Sequence, residues 1–132
     1  MKESNLAVVS RMYNCMAAGD FPGAVECMDR DVRVIEADSL PYGGTWKGHD
    51  GFQRLATKIV ATWTPVKVVD EMTFHDAGEF VAMRVHFTAK AASTGREFDA
   101  RIIELAFVEN GKVVEMQPFY ADAAAMLEAV QE

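Results

Sequence analysis

Basic residues are scarce, histidine and cysteine scarcer, and long apolar runs are missing. Thirteen lysines and arginines stand against 20 aspartates and glutamates, a formal net charge of −7. With no basic patch to offset it, that balance argues against a nucleic-acid backbone as partner. Its main effect is on solubility. No apolar run approaches the ~20 residues that a membrane span needs, so no membrane partner is expected. The opening MKESNLAVVSRMYN lacks a basic leader and breaks its short apolar stretch at once, unlike a signal peptide. A cytoplasmic protein is expected. Cys15 and Cys27 are too few for a disulfide framework and lack metal-type spacing, so both read as buried free thiols. The three histidines, His49, His75 and His86, are scattered, and no metal set is expected. Gly43-Gly44 lacks the pattern that would follow in a phosphate loop. No nucleotide, flavin, haem or other cofactor is called for. Repeats, low-complexity tracts and linkers are also missing.

What remains is an ordinary globular chain of 132 residues, 50% hydrophobic and 25% charged. One domain over residues 1–132 is expected, and a chain of this size buries roughly two-thirds of its unfolded surface.

Ser4 reads as the cap of a helix over 4–18, with Val8, Val9, Met12 and Met16 as its apolar stripe and Gly19 as its stop. Asp20 caps a second short helix ending near Met28, with Pro22 in its first turn. VRVIEA (32–37) alternates as a strand. Val32, Val34 and Glu36 share one face. A loop through Pro41–Gly44 follows, and Asp50 reads as the cap of a third helix. Phe52, Leu55, Ala56, Ile59, Val60 and Trp63 form its apolar side, and Pro65 ends it. Strands are expected over 66–75, 79–90, 96–108 and 112–120, with Asn110-Gly111 as a hairpin turn. Asp122 caps a last helix through Met126, Leu127 and Val130. The order ααβαββββα is α+β: a curved, cone-shaped antiparallel sheet wrapped around helices, with a ligand at its open end.

Two acids stand out because their neighbours in the alternation are apolar. Glu36 follows Val32 and Val34. Glu104 shares a face with Phe98, Ala100, Ile102 and Ala106. An acid pointed into an apolar interior is costly as an anion, and its pKa rises toward the range useful for proton transfer. If both point inward, their charges repel and their pKa values split. Met12, Tyr13, Met16, Tyr42, Trp46, His49, Trp63, Met83, Met116 and Phe119 are candidate pocket residues for a flat, hydrophobic ligand. Arg84, His86 and Thr88 lie on the opposite strand face, where a second copy could dock.

The stretches YNCMAAGDFPGAVECMDRDVRVIEA, LPYGGTWKGHDGF and ENGKVVEMQPFYADAAAML carry a resemblance. Over nearly the whole chain the sequence resembles the NTF2-like superfamily, and more closely its SnoaL-like polyketide cyclase and ketosteroid isomerase branch. The resemblance implies a homodimer and a cofactor-free proton transfer next to a carbonyl, on a small hydrophobic or aromatic substrate. It places Glu36 at the general-base position. Glu104 falls at the neutral, hydrogen-bonding acid, allowing one residue's difference in the following turn. The family's helix tyrosine falls on Met12, with Tyr13 next to it. Adjacent helical residues point about 100° apart, so a cyclase-like reaction is expected over a steroid isomerisation. A non-catalytic binder of a hydrophobic ligand is the alternative. Epoxide hydrolysis is a third reading, and it requires an arginine reaching the acids from another strand.

Overall fold

The computed structural model describes residues 3–131; Met1, Lys2 and Glu132, at the ends of the expected domain, lie outside them. Four helices and six strands follow one another as α1 (Asn5–Ala17), α2 (Phe21–Glu26), β1 (Met28–Glu36), β2 (Gly44–Lys47), α3 (Gly48–Thr62), β3 (Trp63–Asp76), β4 (Phe80–Ala91), β5 (Glu97–Glu109), β6 (Lys112–Tyr120) and α4 (Ala123–Val130). The α+β class holds, with one strand more than expected.

The local signals explain most boundaries. Ser4 caps α1 by accepting from the Ala7 N–H, Asp20 caps α2 through Gly23, and Asp122 caps α4 through Ala125. Gly19 leaves α1 at φ 75°, the left-handed conformation that ends a helix. Asn110 and Gly111, at φ 52° and 76°, make the tight turn between β5 and β6.

Four expectations fail around residues 44–65. Gly44–Lys47 is a strand, not loop: it pairs antiparallel with β1, from Arg33 opposite Lys47 to Glu36 opposite Gly44. The helix after it starts at Gly48 without a side-chain cap. Asp50 lies in its first turn and pairs with Arg54 at 3.0 Å. At the far end, Trp63 opens β3 and does not extend the helix, and Pro65 lies inside that strand.

The six strands form one curved, open sheet in the order β2-β1-β6-β5-β4-β3. All neighbours are antiparallel except β1 and β6, which run parallel. Helix α3 packs on β1 and β2, α1 on the strands β3, β4 and β6, and α4 on β5. The inner face carries Val32, Val34, Val81, Met83, Ala100, Ile102, Ala106 and Met116, all buried. Both cysteines are free; Cys27 is buried and Cys15 half-buried.

Candidate functional site

A cavity of about 280 Å³ opens between the inner sheet face and the helices, and Glu36 and Glu104 both line it. Strand register puts them there. Val34 of β1 lies beside Met116 of β6, and Glu104 of β5 lies opposite Pro118 of β6. Continuing the parallel register by two residues brings Glu36 level with Pro118. The two acids therefore flank Pro118 from either side, with backbones about 10 Å apart at ordinary strand spacing.

Glu36 is only 5% exposed. Burial pushes its pKa up to about 7, against the pull of a hydrogen bond that Tyr120 donates to its Oε1 at 2.6 Å. Glu104 is half-buried, its open surface facing the cavity. Burial, and then the nearby charge of Glu36, raise it to about 8. The Tyr13 hydroxyl lies close enough to oppose that rise. It nevertheless falls short of hydrogen-bond geometry, and its buried oxygen has no partner among the described residues. Burial and the Glu104 charge hold the Tyr13 phenol well above its ordinary range, so it is neutral.

Tyr42 adds a second hydroxyl. Its backbone oxygen accepts from Trp46 Nε1 at 2.9 Å, and its own oxygen accepts from Trp63 Nε1 at 2.7 Å. With its oxygen accepting from Trp63, its proton is the part left to donate, and the Tyr120 hydroxyl lies close by. Burial pushes its pKa up to about 12, so it too stays neutral. The remaining walls are apolar, from Met16, Phe52, Leu55, Met83, Phe87 and Met116 among others, and among the described residues no lysine, arginine or histidine lines the cavity.

Several expected pocket residues lie elsewhere. Met12 is fully buried in the core, and Tyr13 enters the cavity in its place. The buried stripe of α1 is broad enough to hold both. Trp46 turns its indole N–H back to Tyr42 and lies under the Arg54 guanidinium at 5.8 Å. His49 Nε2 lies 3.0 Å from the Met28 carbonyl oxygen. A carbonyl only accepts, so this nitrogen donates and the ring is a structural tie. Phe119 points the other way, 51% exposed on the outer face, because it alternates with Pro118 and Tyr120. Tyr120 lines the cavity although no sequence pattern singles it out.

The outer face holds a groove of about 480 Å³, with Asp70, Glu71, Arg84, His86, Arg101, Ile103 and Phe119 among its walls. His86 bridges Asp70 at 3.3 Å and Asp99 at 2.6 Å. Arg84 and Arg101 lie here, on the far side of the sheet from both acids, so neither reaches them and the arginine required for epoxide hydrolysis is not in the cavity. Among the described residues no cluster of three or more histidine, cysteine or acidic side chains is placed to hold a metal ion. No described helix is long and apolar enough to cross a membrane.

Comparison with known proteins agrees with this architecture. An NTF2-like protein of Burkholderia xenovorans superposes with a TM-score of 0.88 at 24% identity, covering 96% of this chain and 95% of that one. A protein of Jannaschia described as a SnoaL-like polyketide cyclase gives 0.80 at 18% identity, covering 100% and 99%. TerC, crystallised with polyporic acid, gives 0.83 at 18%, covering 97% and 98%. An uncharacterized protein of Mycobacterium tuberculosis is 24% identical over 125 residues, 93% of each chain. These likenesses establish the NTF2-like fold. The SnoaL-like domain matches residues 9–116, and the chain belongs to that family.

Proposed function

We propose that the cavity catalyses cofactor-free proton transfer next to a carbonyl on a neutral, hydrophobic small molecule. The observation that carries this reading is the pair of carboxyl groups that line one apolar cavity, where burial pushes both toward neutrality. Ionised Glu36 removes a proton from the carbon beside the carbonyl: the C–H bond breaks and its electron pair moves to the carbonyl oxygen. Neutral Glu104, with the Tyr13 and Tyr42 hydroxyls, donates to that oxygen as charge develops. The proton returns to another carbon in an isomerisation. In a cyclisation, the enolate carbon instead attacks a second carbonyl, whose π pair moves to its own oxygen, and that oxygen takes the proton from Glu36. Tyr13 in the cavity removes the reason to favour cyclisation over isomerisation. With two acids and no cation among its walls, the cavity disfavours carboxylate and phosphate ligands.

The direct test is exchange of the α-hydrogens of β-tetralone in D₂O, followed by NMR. The protein accelerates exchange over buffer, and Glu36→Gln abolishes the acceleration while the fold stays intact. Full exchange activity in Glu36→Gln ends the proposal. A cavity that binds the ketone without accelerating exchange favours the non-catalytic binder.

We further propose that the outer face joins two copies. Ile103 and Phe119 are exposed there beside Arg84 and Arg101, with Asp70 and Glu71 across the groove. A two-fold axis over this groove brings the acids of one copy to the arginines of the other. Sedimentation equilibrium should show a dimer that Arg101→Glu weakens at least tenfold. An unchanged dimer in that variant places the interface elsewhere.

A further inference from the structure

We propose that Tyr120 is a positioning residue for Glu36: it occupies Oε1 and leaves Oε2 as the one oxygen offered to the substrate. This rests on the proton-transfer reading above and adds a residue to it.

The geometry begins with the backbone. Tyr120 is the last residue of β6, and its register partner on β5 is Ile102. Immediately beyond it, the Ala121 N–H donates to the Arg101 carbonyl at 3.0 Å, and Asp122 then caps α4. The end of β6 is thus fixed on both sides of the tyrosine. From that anchored position the side chain turns to the inner face and reaches β1, where its hydroxyl donates to Glu36 Oε1 at 2.6 Å. Residues 36 and 120 belong to neighbouring parallel strands whose paired register ends at Met116. Pro118, two residues on, has no N–H to continue the ladder. Where backbone pairing stops, the side-chain bond takes over as the tie between the two strands.

A free carboxylate on a strand end rotates about its last bond and presents either oxygen. One short, charge-assisted hydrogen bond removes that freedom. Tyr120 is itself held neutral, because burial and then the Glu36 charge oppose its ionisation. It therefore acts as a donor at any working pH and does not compete as a base. Its bond stabilises the anion of Glu36 over the acid. Removing the hydroxyl should cost Glu36 both its orientation and part of its acidity.

Tyr120→Phe keeps the ring and its packing. The measurement is the ¹³C-carboxyl NMR titration of Glu36 in the empty protein, together with the pH profile of β-tetralone exchange. We expect the Glu36 midpoint to move to higher pH in Tyr120→Phe. The low-pH limb of the exchange profile should move with it, and kcat should fall more than KM rises. The Tyr120 ring resonances of the unaltered protein should titrate with the Glu36 midpoint, a readout that does not depend on the variant's folding. An unmoved Glu36 midpoint, or tyrosine resonances that ignore it, overturns the assignment. If the midpoint moves and yet Glu36→Gln retains exchange activity, Tyr120 still positions Glu36 and the proton-transfer reading fails instead.

Discussion

At the scale of single residues, the chain keeps two carboxyl groups where hydrophobic side chains would be more stable. The sign of that cost is fixed. Glu36 rises from 4.5 in the unfolded chain to about 7 when buried, so between those values the folded protein holds a proton that the unfolded chain has lost. Stability is full below about pH 4.5 and falls as pH rises through this window, by about 3 kcal/mol for a shift of this size. Glu104 acts in the same direction. Denaturant midpoints recorded from pH 5 to pH 8 should therefore decline, and Glu36→Gln should flatten the decline. A pH-independent Glu36→Gln difference would contradict the burial. The inward aim of both acids was legible from alternation alone, since Val32 and Val34 orient Glu36, and Ile102 and Ala106 orient Glu104. The Met12–Tyr13 choice was not. Helical periodicity fixes the angle between two neighbours but not how the helix is rolled on its sheet. Tyr120 was hidden for a related reason: its partner is 84 residues away, across a parallel pairing that no local pattern announces.

At the scale of elements, the strongest local signals fixed the boundaries well. The Asn110-Gly111 turn and the caps at Ser4, Asp20 and Asp122 each satisfy a backbone group by a mechanism visible in three or four residues. The failures cluster between residues 44 and 63. GTWK is only four residues long, and its alternation of half-buried and exposed positions is too brief to mark a strand. It becomes a strand only because β1 has a free edge beside it. Trp63 continued the apolar stripe of α3 in the sequence, but its place is set by the Tyr42 hydroxyl and by the Phe98 ring 6.0 Å away. Gly51 explains how β2 and α3 come so close: a Cβ there would lie 3.2 Å from the Trp46 backbone carbon. These tertiary demands outrank the propensities of a few residues.

At the scale of the molecule, the sheet separates two chemistries. Its inner face is apolar and holds uncompensated acids; its outer face carries Arg84, Arg101 and His86 with their acidic neighbours. Neither arginine reaches the acids, so nothing in the cavity neutralises them and their raised pKa values follow from the architecture as a whole. The proposed chemistry depends on that separation. Its most direct test is a ¹³C-carboxyl NMR titration of Glu36 and Glu104 in the ligand-free protein. Two coupled midpoints are expected, about 7 and about 8. Midpoints for both acids near the ordinary 4.5 would show them in water or paired with a cation, and would contradict it.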